Sequence, residues 1–256
     1  MGKFYDSSNY RVVPLVEAIK NNASNFATFL KTINGIPDLI PPDCEKDYFY
    51  GDHEKQLKPP KDHLECLIKY LSAKNHANIS VGNSKRAALY GANGAEEQKR
   101  ALEEAIECLN EVYNDPILPK AWYIFEGASN PDIYIEGEDY VIVCEGKWTE
   151  SHITEKTAHL KDKDEFRNQM IRHIQGALNL TDKKVYAFYI VDENCNYRDD
   201  LTKPAMKSQL EKETIVPRDP AKILDSFYGF TTWQELERMI PSLRFFSKEE
   251  LDQLRQ

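Results

Sequence analysis

Asn130 to Trp148 reads NPDIYIEGEDYVIVCEGKW, and it is the stretch on which the rest of the chain turns. Ile133-Tyr134-Ile135 and Tyr140-Val141-Ile142-Val143-Cys144 are β-branched and aromatic runs of strand length. Glu136-Gly137-Glu138-Asp139 separates them, and that is a hairpin signal. A two-residue turn at Gly137-Glu138, glycine first as a type II′ turn prefers, sets Glu136 opposite Asp139 and Asp132 opposite Val143. Side chains alternate along a strand, so Val143, Glu145 and Lys147 share one face, and a directly opposed residue shares it too. Asp132, Glu145 and Lys147 are therefore expected on one side of the sheet, at one end of the hairpin. A slip of one residue would separate them.

Outward from the hairpin, Trp122-Tyr123-Ile124-Phe125 reads as a preceding strand and Ala95–Val112 as a helix. The buried stripe of that helix is Ala101, Leu102, Ala105, Ile106, Leu109 and Val112. After a polar stretch, Glu165–Leu178 reads as a helix with core positions Phe166, Met170, Ile174, Ala177 and Leu178. Lys184–Val191 (KVYAFYIV) is a further apolar strand. The order is helix, three strands, helix, strand: an α/β pattern with a mixed sheet.

Residues 1–94 read as an N-terminal helical region packed on a core of residues 95–191. Val12–Ile33 is one helix ended by Asn34-Gly35 and Pro37, Asp43–Lys61 is an ordered loop, and His63–Ala73 is a short amphipathic helix. Residues 192–256 read as an extension of loops and short helices in the same compact unit. Capping boxes are expected at Thr232–Glu235 and Ser247–Glu250.

The 256 residues are 41% apolar and 29% charged, which suits a globular chain with a real core. Met1–Lys20 lacks the apolar core of a signal peptide, and no apolar run reaches bilayer length, so a cytoplasmic protein without a membrane partner is expected. The five cysteines are odd in number and widely spaced, as small buried hydrophobes would be. The formal net charge of −9 argues against a basic coat for non-specific nucleic-acid binding. Cys44, His53, His63 and Cys66 do not have zinc-finger spacing. No H-E-x-x-H, G-x-S-x-G or P-loop occurs.

Two carboxylates beside a lysine are the groups needed to hold a hard cation and to stabilise charge developing on a phosphate. Pro131-Asp132, then an apolar strand ending in Glu145-Gly146-Lys147, resembles the PD-(D/E)xK nuclease superfamily, the restriction-endonuclease-like fold. The resemblance covers roughly Ala95 to Val191 and implies an αβββαβ core. It also implies a Mg2+-dependent nuclease (Mn2+ able to substitute) hydrolysing DNA phosphodiester bonds by metal-activated water, in a superfamily many of whose restriction-type members act as homodimers. Asp132 and Glu145 would then be metal ligands, with the Gly146 carbonyl as a further one, and Lys147 the catalytic lysine. Gln169 matches a second motif, Gln-x-x-x-Tyr, although His173 stands at the aromatic position. An acidic residue on the first core helix would be Glu103, Glu104 or Glu107. The alternative reading is a catalytically inactive nuclease-fold module that binds nucleic acid or protein. Lys85-Arg86, Arg167 and Arg172 are basic groups read as solvated.

Overall fold

Alternation along the hairpin survives in three dimensions because both of its faces are buried. The computed structural model describes residues 7–20, 22–73, 84–115, 127–149, 167–213, 215 and 217–254. Its five-stranded mixed sheet runs in the order β1 (Tyr48–Tyr50), β2 (Ile133–Glu136), β3 (Tyr140–Gly146), β4 (Lys184–Val191) and β5 (Phe227–Thr232). The first three strands are antiparallel neighbours, and β4 and β5 continue in parallel. A parallel step needs a crossover, which α6 (Gln169–Leu180) supplies between β3 and β4.

The hairpin register differs from the expected one. Ile133 pairs with Cys144 and Glu136 with Val141, and the Gly137 amide donates to Tyr140 O at 2.9 Å. The turn is therefore Glu138-Asp139, one residue later than Gly137-Glu138. Continued to Asp132, this pairing faces Glu145 rather than Val143. The cause is the Tyr140 ring, which lies against Gly137 so closely that a Cβ there would overlap it. Gly137 serves close approach, not turn dihedrals. The shift is by two residues, so the parity that sets the faces is preserved.

One sheet face carries Ile133, Ile135, Ile142, Cys144, Phe188 and Ile190. It is covered by α1 (Val13–Lys20), α2 (Ala23–Lys31) and α9 (Trp233–Met239) through Leu15, Phe26, Phe29, Trp233 and Leu236. The span 12–33 is thus two helices rather than one. Asn22 breaks it, accepting hydrogen bonds from the Ser24 and Asn25 amides as the cap of α2. The opposite face carries Tyr134, Val141, Val143, Ala187 and Tyr189 beneath α6, α7 (Lys203–Lys212) and α8 (Pro220–Ser226). Burial of each large aliphatic side chain is worth about 1.5–3 kcal/mol. A one-residue slip of β3 would exchange these two sets and drive Glu145 and Lys147 in among Phe29 and Phe188, so the register is strongly held.

A separate apolar cluster joins α3 (Lys61–Ala73), α4 (Ser84–Leu89) and α5 (Ala95–Val112) through Leu64, Ile68, Leu89, Ala105 and Leu109. The buried stripe expected of residues 95–112 exists, but it faces α3 and α4. The sheet draws strands from all three expected regions, since β1 lies before residue 94 and β5 after residue 192. The strand expected at Trp122–Phe125 lies outside the described residues. Leu57 and Ser129 exchange backbone hydrogen bonds of 2.8 and 2.9 Å where the chain leaves the sheet region and returns to it. The last helix, α10 (Lys248–Leu254), begins in the expected capping box. Ser247 Oγ accepts from the Glu250 amide at 3.1 Å, and Glu250 Oε2 accepts from the Ser247 amide at 2.8 Å. Among the described residues no helix is long and apolar enough to cross a membrane.

Candidate active site

Strand alternation puts Glu145 on the face covered by α6, and Lys147, just past the end of β3, reaches the same helix; Asp132 lies just before β2 and meets β3 at the Gly146 amide. Lys147 Nζ donates to Glu145 Oε1 at 2.7 Å, with the two side chains only 7% and 4% exposed. Paired charges at this burial hold only where their remaining polar atoms also find partners. Here they do. Lys147 Nζ also donates to Gln169 Oε1 at 3.3 Å, and Glu145 Oε2 lies 2.9 Å from His173 Nε2. Gln169 and His173 are four residues apart on α6, the spacing that puts two side chains on one helix face. The structure thus joins Gln169 to the Glu145–Lys147 pair and adds His173, whose role the sequence left open.

Asp132 is held differently. Its Oδ2 accepts from the Gly146 amide at 2.7 Å. The Gly146 N–H thus holds the Asp132 carboxylate, a contact separate from the carbonyl expected to face a cation. A Cβ at Gly146 would lie 2.9 Å from Trp233 Cζ2 and 3.3 Å from Asp132 Oδ2, so the position has room for glycine alone. Trp233 Nε1 in turn donates to Lys147 O at 2.9 Å, and the Lys147 amide donates to Ile190 O at 2.8 Å. The backbone bearing the lysine is fastened from both sides.

The two carboxylates are electrostatically unlike. Burial pushes Asp132 well above the ordinary carboxylate range, and the negative charge of Glu145 pushes it further. The Gly146 amide and Lys147 oppose this, and Glu54 adds a second repulsion. Burial would also raise Glu145, but the His173 hydrogen bond and the Lys147 charge outweigh it and hold Glu145 below its usual value. The half-buried Asp132 is thus raised and the buried Glu145 lowered, so the two neighbouring acids are driven apart in their tendency to ionise.

Several expectations are corrected. Glu103, Glu104 and Glu107 lie on α5, in the separate helical cluster. Glu104 pairs with Lys85 at 2.7 Å, while Glu103 and Glu107 line a shallow groove with Lys69 and Asn110. Besides Glu145, the acidic neighbour that Asp132 feels is Glu54, in the segment read as a loop. Arg167 is not solvated: it is buried and pairs with Glu213, and its Nη2 donates to Gln175 Oε1 at 2.9 Å. The same Glu213 accepts from the Asn168 amide at 2.9 Å, which fixes the start of α6 and with it Gln169. Arg172 donates to Gly127 O at 3.2 Å. Trp233 and Glu54 were not anticipated. Neither belongs to a recognisable motif, and only the fold brings them to the hairpin. Among the described residues no three His, Cys, Asp or Glu side chains converge as a complete metal cage.

Comparison with family models, with curated proteins and with solved structures finds no match to this chain.

Proposed function

We propose that this chain is a Mg2+-dependent nuclease that hydrolyses DNA phosphodiester bonds in an endonuclease-like manner, with Asp132, Glu145, Lys147 and Gln169 as its site. One observation carries the reading. Two carboxylates meet at one end of the β2–β3 hairpin, Asp132 on the Gly146 amide at 2.7 Å and the adjoining Glu145 on Lys147 Nζ at 2.7 Å. The element order supports it: α2, β1, β2, β3, α6, β4 is helix, three strands, helix, strand, with α3–α5 inserted between β1 and β2. That is the order expected of the restriction-endonuclease-like core.

The residues fit a hard divalent cation. Both donors are carboxylates, and burial together with the neighbouring Glu145 charge raises Asp132, a repulsion that a cation between the two would relieve. Two carboxylates suffice for Mg2+, which keeps several waters. When bound, Mg2+ (or Mn2+) supplies Lewis acidity to a phosphodiester and acidifies a coordinated water. The protein's own part is orientation and charge. The Gly146 amide fixes the Asp132 carboxylate, and Glu145 and Gln169 hold Lys147 Nζ where it stabilises negative charge growing on a phosphate. Trp233, through Lys147 O, keeps that strand end from drifting.

A second reading has its own support. Both Glu145 oxygens already have partners, and the described residues hold no third ligand. Those facts favour a nuclease-fold module that binds nucleic acid or protein without cleaving.

Incubation of the full chain with supercoiled and linear DNA, with Mg2+, with Mn2+ and with EDTA, separates the two. Cation-dependent cleavage that falls at least about 100-fold in Asp132→Asn and Lys147→Met supports the enzyme. Binding without cleavage supports the module. Cleavage unchanged in both variants would remove the site assignment.

A further inference from the structure

A carboxylate offers two oxygens and can turn about its terminal bond. Glu145 has lost that freedom. Oε1 accepts from Lys147 Nζ at 2.7 Å, and Oε2 stands 2.9 Å from His173 Nε2. His173 is 0% exposed, one helical turn beyond Gln169, so a single face of α6 grips both halves of the Glu145–Lys147 pair. The other ring nitrogen, His173 Nδ1, is buried without a hydrogen-bond partner among the described residues.

That asymmetry fixes the direction of the bond. A proton on Nδ1 would be a buried donor with nothing to accept it, and would leave the Nε2 lone pair facing a carboxylate. A proton on Nε2 is accepted by Glu145, and an unprotonated Nδ1 costs less. The neutral ring therefore carries its hydrogen on Nε2 and donates to Glu145.

We infer that His173 is a positioning residue: its Nε2–H holds the Glu145 carboxylate at the angle from which it serves both Lys147 and a divalent cation. This rests on the metal-dependent reading above. Gln169 holds the lysine from the same helix, so the helix acts as one jig for the acid and the base. A merely space-filling His173 would respond to loss of bulk and not to loss of the donor.

The test separates bulk from donor. His173→Gln retains an N–H near the position of Nε2, whereas His173→Leu retains bulk and removes the donor. Full-length wild type and both variants, checked for folding by circular dichroism, are titrated with Mn2+ by calorimetry and electron spin resonance. Histidine tautomers are read by 15N NMR in the wild type and in Glu145→Gln. The expected result is Mn2+ binding weakened about 10–100-fold in His173→Leu and largely restored in His173→Gln. His173 is expected to carry an Nε2–H signal that moves in Glu145→Gln. His173→Leu binding like the wild type, or a folded His173→Gln weakened about 10-fold or more, overturns the inference. Should His173→Leu fail to fold, His173→Gln and the tautomer decide. An Nδ1–H tautomer, or a signal indifferent to Glu145→Gln, overturns the positioning role and leaves the nuclease reading standing. No Mn2+ binding by the wild type removes that reading and the cation half of the inference with it.

Discussion

Replacing Lys147 with methionine removes one charge from a buried pair and leaves the shape nearly intact. At 2.7 Å and an effective dielectric of about 20, the Glu145–Lys147 attraction is about 6 kcal/mol. Much of this offsets the cost of taking both groups out of water, so the pair contributes little net. Removing one member is different, because Glu145 then stays buried with only His173 beside it. That imbalance costs about 3–5 kcal/mol, which for a domain of this size lowers the melting temperature by about 6–20 °C. The measurement is urea and thermal unfolding followed by tryptophan fluorescence, for Lys147→Met, Glu145→Gln and the double variant. The double variant is expected to lose less than the two singles summed, by about 2–3 kcal/mol. The pH dependence has a definite sign. Glu145 is held below its ordinary value, so its contribution is present above the ordinary glutamate range and is lost as pH falls through the depressed folded value. In Lys147→Met the Glu145 pKa climbs. The deficit of the variant is therefore greatest near neutrality and shrinks on acidification. A Lys147→Met protein within about 1 kcal/mol of wild type near neutral pH, with additive singles, would refute the buried-pair reasoning.

Asp132→Asn is expected to act in the opposite direction. Because burial and Glu145 raise the Asp132 pKa, the wild type loses stability as pH climbs from the ordinary aspartate range through the raised value. The variant should melt higher than wild type at about pH 8 and converge with it at about pH 3, as calorimetry at the two values would show. Gly146→Ala should cost about 1–3 kcal/mol by denaturant unfolding, since its Cβ would meet Trp233 at 2.9 Å. It should also displace Asp132 and weaken Mn2+ binding, and an unchanged titration would contradict the close packing. Gly137→Ala should destabilise by about 2 kcal/mol or more. The Tyr140 ring it would strike is tied by its O–H to Ile40 O at 2.6 Å, and pairing it with Tyr140→Ala should recover part of the loss.

Period-2 patterning was enough to turn Glu145 and Lys147 toward α6, because parity survives a two-residue shift, and the hairpin brought Asp132 to the same end of the strand pair. It was not enough to locate the turn, since the approach of Tyr140 to Gly137 is a contact between side chain and backbone that turn preferences do not encode. Residues 95–112 were legible as a helix with a buried stripe, but a stripe does not name its partner. α3 and α4 bury it, not the sheet. β1 is three residues long and β5 carries Gly229, so neither shows a periodic signal, and both exist because a neighbouring strand offers hydrogen bonds. In the site, Gln169 and Lys147 came from a motif, while His173 was visible only as a residue four positions on. Trp233 and Glu54 come from segments far along the chain, and their nearness to the hairpin is a property of the fold. The burial of Arg167 was also hidden, because its partner Glu213 lies on another helix.

The paired backbone bonds between Leu57 and Ser129 have a consequence for how this chain can be altered. The polypeptide departs and re-enters at a doorway two hydrogen bonds wide. Closing a loop of any length across such a doorway costs an entropy that grows only with the logarithm of its length. The helical annex carrying α3–α5 is nonetheless not free of the body: Tyr113 Oη accepts from Asn179 Nδ2 at 2.9 Å, and Ile215 packs against its apolar cluster. Lengthening the annex is therefore cheap in loop entropy, whereas paring it away would also strip these contacts from α6 and from the segment after α7.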